Sequence, residues 1–409
     1  MGISKLSVAL NLGEQSYNVG ELITDNKKIY FKYFDDFIAT GIQISPFKLP
    51  ITNAIQAANE YPFDGLFGVF NDSLPDGWGK LLLDKNLTSK GISLNQITPL
   101  DRLTYIDKNG IGALSYQPTF QTNNQSLNEI ELDILSTETN LILEGQSSDI
   151  IEELYNLGGS SGGARPKILV GYNQKTHQII SGTHELPEDF EHWIIKFPSS
   201  FDTPDSTNIE YAYYLMAKAA GITMADCKLF EGKSGKYYFG TKRFDRIQNK
   251  KLHLHSAAGL LHDNFRLSTL DYGHLMDAAF RLENHVNAYE KILRLATFNM
   301  YSHNRDDHSK NFSFLMNENR KWEFSPAYDL TFSNSSHGFQ STTIAGEGKS
   351  PEEKHIKILA KNFSFKPYNI IIDEVKEAVS NWKSFAKQAQ VSYESEQLIY
   401  KTIETLIKS

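Results

Sequence analysis

Cysteine is almost missing from this chain of 409 residues, since Cys227 is its single example. One cysteine can form neither an intramolecular disulfide framework nor a cysteine-based zinc site, which excludes small disulfide-stapled folds. Apolar runs of 18 residues or more are also missing, so no transmembrane helix is predicted. The first twelve residues hold one lysine and lack the long apolar segment of a signal peptide. We therefore expect a cytoplasmic protein without a membrane partner.

An excess of positive charge is missing as well. The 41 lysines and arginines face 49 aspartates and glutamates, which gives a net charge of −8 with histidine neutral. This balance disfavours strong autonomous binding to nucleic acid, although it leaves room for a local basic patch. Hydrophobic residues make up 40% and aromatic residues 12%, which is ordinary globular composition with enough apolar material for a sizeable core. At about 150 residues per domain, the length favours two to three domains.

Strand and helix patterns predict how the chain is organised. Alternation at Ile29, Phe31 and Tyr33 is typical of a half-buried strand, and the polar stretch 117–128 is the best candidate for a linker. Further strands are predicted at 168–172, 193–197 and 237–241, and helices at 79–86 and 394–407. The stretch 70–79 contains proline and glycine and reads as a loop. A strand-rich region that meets a helical region near residue 245 predicts a cleft, the kind of place where ligands bind.

Four glycines fall within six residues in the segment 158–163. Such a backbone can bend tightly and approach a ligand closely, and its successive N–H groups can form a nest for an anion. Gly158 and Gly163 have the spacing of a Walker P-loop, but Ala164 and Arg165 replace the lysine and hydroxyl residue that should follow. From the residues alone, both a flexible loop and a phosphate cradle remain open.

A lysine, Lys196, interrupts the apolar strand 193–198. Because a buried ammonium needs a partner, it either belongs to an edge strand protected from aggregation or grips phosphate oxygens. The helix that follows begins with Thr207 and Glu210 in the spacing of a capping box. Glu210 therefore either closes the helix N-terminus or forms an ion pair with Lys196.

The densest polar set in the chain is the segment 304–312, with the sequence NRDDHSKNF. It places two carboxylates, an imidazole, an amide and two cations directly after an apolar helix, which favours a built site over a surface loop with helix-cap residues. Asp329 stands among apolar residues further along the chain. Together with Asn311 it could complete a site for a hard cation such as Mg²⁺, which prefers oxygen ligands; otherwise it caps a turn.

These pieces follow the order of protein kinases: glycine loop, strand lysine, helix glutamate, Asp-x-x-x-x-Asn and a later aspartate. The eukaryotic His-Arg-Asp and Asp-Phe-Gly motifs are absent. The segments GSSGGARPK, HWIIKFP, NIEYAYYLMAKAAGI, FGTKRFDR, NRDDHSKNFSF and SPAYDLTFS, with FNDSLPDGWG upstream, resemble the bacterial HipA family, the serine/threonine kinase toxins of type II toxin–antitoxin systems. The resemblance implies an α+β, two-lobed protein-kinase-like fold with an extra N-terminal α/β subdomain and a mostly helical C-terminal lobe.

The resemblance also implies a domain plan and residue roles. The plan is an N-terminal subdomain for packing and antitoxin docking (1–116), a linker (117–128), a kinase N-lobe with the glycine-rich loop (129–245) and a helical C-lobe with the catalytic loop (246–409). Asp306 would accept or orient the substrate hydroxyl proton, Asn311 and Asp329 would hold Mg²⁺, and Glu210 would form the structural ion pair. The residues expected to bind ATP are Ser160, Ser161, Gly162, Gly163, Ala164, Lys167, Lys196, Lys242, Phe244, His308 and Lys310. Ser160 would be the autophosphorylation site, although the adjacent Ser161 keeps that assignment open.

The implied cofactors are ATP and Mg²⁺, and the implied partner is a HipB-like DNA-binding antitoxin, through which alone DNA would be bound. The implied substrate is an aminoacyl-tRNA synthetase such as glutamyl-tRNA synthetase, whose phosphorylation stops growth. Arg165 and Asp307 depart from the best-known family pattern and leave substrate choice open. Two alternatives stay beside this interpretation: a metal-dependent phosphoesterase that uses Asp306, Asp307 and His308, and a non-catalytic co-repressor that acts with the antitoxin.

Overall fold

A computed structural model describes residues 2–106, 110–120, 129–146, 148, 150–159, 162–182, 185–335 and 338–408. The first part of the chain is an antiparallel sheet with short helices around it. Its elements are β1 (Lys5–Leu12), β2 (Gln15–Asp25), β3 (Lys28–Tyr33), α1 (Asp35–Thr40), β4 (Gln56–Ala57), α2 (Gly68–Asn71), α3 (Gly77–Ser89), α4 (Pro99–Leu103) and β5 (Leu114–Gln117), with a 3₁₀ turn at Leu94–Gln96. Most of the expected linker, 121–128, lies outside the described residues.

The strands of this N-terminal subdomain are ordered β4-β3-β2-β1-β5, and every neighbouring pair is antiparallel. In β3 the side chains of Ile29, Phe31 and Tyr33 are buried while those between them face outward, which confirms the predicted strand. The buried face packs against α1 and the segment around α2, where Phe67 and Phe70 contact Phe31 edge to face or at a tilt. The subdomain thus has a hydrophobic core of its own.

The second part builds a five-stranded antiparallel sheet with helices packed against it. Its elements are α5 (Leu132–Leu143), α6 (Ile151–Gly158), β6 (Lys167–Tyr172), β7 (Ile179–Ser181), β8 (Glu191–Lys196), α7 (Ser206–Ala219), β9 (Cys227–Glu231) and β10 (Tyr237–Lys242). The strand order is β7-β6-β8-β10-β9, so β8 lies at the centre. The edge-strand explanation for Lys196 is therefore wrong, because its strand pairs with β6 on one side and with β10 on the other.

Helix α7 follows β8 and packs on this sheet. The predicted capping box is wrong: the helix begins after Asp205, and the hydroxyl of Thr207 donates to the carbonyl of Tyr237 at 2.9 Å instead of capping. The helix ends before Gly221, whose φ of +75° suits a left-handed terminator. Its apolar side chains are buried in the largest core cluster, which spans α7 and the helices of the third part.

The third part is a mostly helical lobe. Its elements are β11 (Arg246–Ile247), β12 (Lys250–Lys251), β13 (His253–Ser256), α8 (Ala257–Leu261), α9 (Tyr272–Glu283), α10 (Asn287–Tyr301), β14 (Ser313–Met316), β15 (Trp322–Phe324), α11 (Glu353–Asn362), α12 (Tyr368–Ser380), α13 (Trp382–Gln388) and α14 (Tyr393–Lys408), with a 3₁₀ turn at Ser309–Asn311. Strands β13, β14 and β15 form a small sheet beside the helices. Among the described helices, none combines the length and apolarity that crossing a bilayer requires.

Buried polar contacts join the N-terminal subdomain to β13. The ring of His255 lies between the hydroxyl of Ser45 at 2.9 Å and a carboxylate oxygen of Asp72 at 2.6 Å. Asp72 also accepts from the amide and hydroxyl of Ser256. Because each of these polar groups has a hydrogen-bond partner, the junction fixes one geometry, which apolar contacts alone would not do.

A second junction is a buried cluster of charges. Asp245 accepts from Arg243 at 2.7 Å, from Arg246 at 2.8 Å and from the amide of Gly112 at 2.8 Å. Both arginines also donate to the carbonyl of Gly110. Burial would raise the pKa of Asp245, but the two guanidinium groups outweigh it and hold that pKa well below its usual range. The carboxylate thus ties the N-terminal subdomain to the segment that joins the lobes.

We predict that Asp245→Asn destabilises the protein by about 3–5 kcal/mol, because it leaves two buried guanidinium groups without a counter-charge. The unfolding midpoint in urea measures the loss. Asp277→Asn is the matched control, since its partner Arg281 and Asp277 itself are largely exposed and the pair contributes under about 1 kcal/mol. Equal midpoints for the two variants would contradict the prediction.

Candidate active site

Three segments of the chain meet at the ammonium group of Lys196. The lysine ends the central strand β8 and forms ion pairs with Glu210 of α7 and with Asp329, which follows β15. Burial would lower the pKa of Lys196, but the two carboxylates outweigh it and raise that pKa above its usual range. Glu210 was predicted either to cap its helix or to pair with Lys196, and the structure shows the ion pair. Lys196 therefore stays charged in a nearly buried position.

The segment that carries Asp329 is anchored to the loop after α7. The amide of Ala327 donates to the carbonyl of Thr223 at 2.8 Å, and Met224 and Ala327 form a parallel bridge. Asp329 itself has a φ of +57°, in the left-handed region that aspartate tolerates better than most residues. Burial would raise its pKa, but Lys196 and Lys167 hold the pKa well below its usual range. Asp329 is thus an ionised carboxylate that faces two lysines.

The polar segment after α10 is held beside the segment that follows Asp329. Asn304 forms a parallel bridge with Ser333, and Ser333 also accepts from the amide of Arg305 at 3.2 Å. Asp306 follows, with 57% of its side chain exposed. Desolvation by its surroundings and the negative charge of Asp329 raise the pKa of Asp306. The two carboxylates thus act on each other electrostatically.

Asn311 supports Asp306 from the same loop. Its side-chain amide donates to the carbonyl of Asp306 at 2.7 Å. Its side-chain oxygen accepts no hydrogen bond from any described residue, so this oxygen is free to bind a ligand. The five-residue spacing between Asp306 and Asn311 becomes a local contact because a 3₁₀ turn at Ser309–Asn311 folds the loop back on itself.

Asp307 has a different surrounding from its neighbour Asp306. It is 1% exposed and accepts from the hydroxyl of Tyr272 at 2.7 Å and from the amide groups of Gln340, Ser341 and Thr342. Burial raises its pKa to about 6, against the opposing effect of these hydrogen bonds. Asp307 is therefore committed to these donors, while His308 lies 3.9 Å from Asp306. Among the described residues these three side chains form no metal-binding group, so the phosphoesterase arrangement is not formed.

The glycine-rich loop lies over these groups. Lys167, at its end, is 7% exposed, makes no ion pair with any described residue and has its pKa lowered by burial. Arg165 contacts Asp202 at 3.0 Å and Glu210 at 3.8 Å. Gly162, Gly163 and Ala164 form the turn before Arg165, and Gly163 has a φ of +88°. Ser160 and Ser161, the expected nucleotide-binding and autophosphorylation positions, lie outside the described residues.

The remaining residues expected at the nucleotide each contact a neighbouring side chain. Lys242 pairs with Glu191 at 2.5 Å at the end of β10, and the ring of Phe244 lies 5.5 Å from that of Tyr328. The ring of His308 is 3.9 Å from Asp306. Lys310 forms an ion pair with Asp76 and lies 4.7 Å above the ring of Phe265.

Two residues at the site were missed by sequence reasoning. Asp76 was read as part of a loop shaped by proline and glycine, and Arg165 as a departure from a family pattern. The structure brings Asp76 to Lys310 and to the amide of Gly163, and Arg165 to Glu210. The unusual FNDSLPDGWG segment marked Asp76 as noteworthy, but the sequence could not show which distant residues its carboxylate contacts.

The donor set fits a nucleotide with a hard cation. A buried unpaired ammonium at Lys167 needs an anion, and glycine amides with a second lysine provide further donors for phosphate oxygens. Asp329 and the free side-chain oxygen of Asn311 are hard donors of the type that Mg²⁺ takes one or two of, beside phosphates and water. Among the described residues, no group of three or more His, Cys, Asp or Glu could hold a metal by itself.

Comparisons with known proteins decide the family. The HipA N-terminal domain model matches residues 10–117, and the HipA-like C-terminal domain model matches residues 159–382. The chain belongs to the HipA family. No curated protein sequence matches the chain at a significant level.

A solved structure resembles this HipA family chain over nearly its whole length, and a second matches about half of it. HipA of the Shewanella oneidensis MR-1 toxin–antitoxin system, solved with HipB and operator DNA, is 19% identical with a TM-score of 0.68; the match covers 98% of this chain and 95% of that one. The proinflammatory kinase CtkA of Helicobacter pylori is 15% identical with a TM-score of 0.33, over 53% of this chain and 92% of that one. The expected α+β, two-lobed kinase-like fold with an N-terminal subdomain and a helical C-terminal lobe is confirmed.

The contrast between Asp306 and Asp307 predicts effects on stability of very different size. Asp307→Ala leaves the Tyr272 hydroxyl, the Gln340 amide and two backbone N–H groups without their acceptor, so we expect a loss of about 3 kcal/mol or more. Asp306→Asn changes an exposed side chain and should stay within about 0.5 kcal/mol of the wild type. Urea denaturation compares the two, and a similar loss for both variants would show that this description of the loop is incorrect.

Proposed function

We propose that this protein is an ATP- and Mg²⁺-dependent serine/threonine protein kinase toxin of a HipBA-like toxin–antitoxin module. It would transfer the γ-phosphate of ATP to a protein hydroxyl, on an aminoacyl-tRNA synthetase such as glutamyl-tRNA synthetase, and to its own Ser160. The observation that carries the proposal is the ion-pair junction of Lys196 with Glu210 and Asp329, in a cleft that also holds Asp306.

Charge and positioning support the assignment, because phosphoryl transfer requires little covalent chemistry from the protein. Lys196 and Lys167 would bind phosphate oxygens, and the glycine-rich loop from Gly162 to Ala164 would cover them with backbone N–H groups. Mg²⁺ held by Asn311 and Asp329 would supply charge that offsets the charge developing during transfer.

Asp306 would act on the substrate hydroxyl. Its carboxylate is exposed to the cleft, so a hydroxyl can approach it, and Asn311 holds the backbone of the loop in place. As an acceptor, the carboxylate would orient the hydroxyl and take its proton as the oxygen attacks the γ-phosphorus. His308, 3.9 Å from Asp306, would steady that carboxylate. Lys242 and Phe244 would lie at the nucleotide base.

A HipB-like antitoxin is the proposed partner. The Shewanella HipA was solved together with HipB and its operator DNA, and this chain matches that HipA over nearly all of its length. The net charge of −8 supports binding to DNA through such a partner and not by the chain alone. The N-terminal subdomain would take part in docking it.

We predict that Asp306→Asn abolishes phosphate transfer and growth arrest while the fold is retained, because the substrate hydroxyl loses its proton acceptor. The protein is incubated with Mg-ATP and extract of its host, and phosphorylated peptides are identified by mass spectrometry. The expected wild-type products are a loop peptide with Ser160 and a synthetase peptide, and we expect a loss of at least about a hundredfold in the variant.

Asp277→Asn is the matched control for this experiment. Asp277 is as exposed as Asp306, and its ion-pair partner is Arg281 of its own helix. It should transfer phosphate like the wild type. If Asp306→Asn transfers as much phosphate as the wild type, the kinase assignment is wrong. Binding of the wild type to operator DNA without any partner, and without transfer, would favour the co-repressor alternative.

A further prediction concerns the cation. Asn311→Ala removes a neutral oxygen ligand, so the Mg²⁺ concentration for half-maximal transfer should rise by roughly tenfold or more. Asn311→Asp restores an oxygen donor and should recover much of the Mg²⁺ affinity. A titration of the transfer rate against Mg²⁺ measures both variants. An unchanged Mg²⁺ requirement in Asn311→Ala would remove this residue from the metal site.

A further inference from the structure

The N-terminal subdomain sends one side chain into the cleft between the two lobes. Asp76 precedes α3 at the position where an aspartate normally accepts hydrogen bonds from the first turn of its own helix. Here its carboxylate makes no such bond. One oxygen accepts from the amide of Gly163 in the glycine-rich loop, and the other pairs with Lys310 of the catalytic loop. The side chain therefore forgoes a local role for contacts with two distant segments.

Backbone contacts beside Asp76 show that this approach is built into the chain. The amide of Trp78 donates to the carbonyl of Gly163 at 2.9 Å, and its indole N–H donates to the carbonyl of Lys167 at 3.2 Å. Gly77 has a φ of +44°, and a Cβ there would overlap the carbonyl of Gly163. Only a glycine admits so close an approach of the two backbones.

The electrostatic surroundings of Asp76 keep its carboxylate ionised. Burial would raise its pKa, but Lys310, the Gly163 amide and Lys167 outweigh it and lower that pKa. Its side chain is 16% exposed, as is that of Lys310, so the pair is shielded from solvent. A charge-assisted pair in such a place contributes more than a surface ion pair.

We propose that Asp76 is a positioning residue that ties the glycine-rich loop to Lys310 of the catalytic loop, so that the N-terminal subdomain holds the phosphate-binding groups of the two lobes in register. The inference rests on the proposed kinase function, which it deepens. The carboxylate competes for the same donors that a phosphate would use, but the Trp78 contacts favour a clamp, since they hold the loop through its carbonyl groups, which a phosphate cannot use as donors.

The first test needs no nucleotide. Hydrogen exchange of the peptide that covers Gly162 to Lys167 is compared in the wild type, Asp76→Ala and Asp76→Asn. Because the Gly163 amide loses its acceptor, we expect exchange about tenfold or more faster in Asp76→Ala. Asp76→Asn keeps an acceptor oxygen but no charge and should exchange at an intermediate rate. The same exchange in all three proteins would overturn the clamp.

The second test separates positioning from a purely structural role. The KM for ATP and kcat of autophosphorylation are measured at saturating Mg²⁺. We expect the KM for ATP to rise about tenfold in Asp76→Ala, with partial rescue in Asp76→Asn and a smaller change in kcat. The matched control is Asp84→Asn on the same helix, whose partner Arg102 lies 2.6 Å away outside the cleft; its KM should stay at the wild-type value.

The outcomes distinguish this inference from the function on which it rests. A wild type that transfers phosphate while Asp76→Ala keeps its KM overturns the positioning role alone. A lower KM in Asp76→Ala also overturns it, because the carboxylate would then be blocking phosphate. If the wild type transfers no phosphate, the kinase proposal fails, and the hydrogen-exchange comparison still decides whether Asp76 clamps the loop.

Discussion

The whole arrangement depends on one buried ammonium group. Lys196 ends β8, the central strand of the second five-stranded sheet, and its charge is balanced by Glu210 from the helix packed on that sheet and by Asp329 from the helical lobe. An unpaired charge in such a place would be expensive, so the three segments that carry these groups are forced together. Because the two carboxylates belong to different parts of the chain, the ion pairs set the relation of one lobe to the other.

The loop after α10 places two adjacent carboxylates in different surroundings. Asp307 turns inward and accepts hydrogen bonds from residues of α9 and of the segment 340–342, which determines the shape of the loop. Asp306, in contrast, keeps 57% of its side chain exposed. A rigid inner anchor with an exposed neighbour is what precise positioning of a reacting group requires.

The N-terminal subdomain is more than an attachment to the two lobes. It has its own core, yet it reaches the lobes through the Asp72 contacts with His255, through the Asp245 cluster and through Asp76 in the cleft. These contacts are polar, buried and satisfied, so they specify one relative placement where an apolar interface would tolerate several. The subdomain therefore contacts the glycine-rich loop directly, through Asp76.

The sequence by itself determined the elements and much of the site. The alternation in β3, the strands at 168–172, 193–197 and 237–241 and the spacing of Asp306 and Asn311 are local patterns, and local geometry follows from local periodicity. Sequence reasoning left Glu210 between a cap and an ion pair, wrongly expected a capping box, and assigned no contact to Asp76. Only the tertiary structure decided these points, since each depends on which distant group lies opposite: Lys196 for Glu210, and Gly163 with Lys310 for Asp76. The energy of a buried charge is set by its surroundings in space, and spacing along the chain carries no record of them.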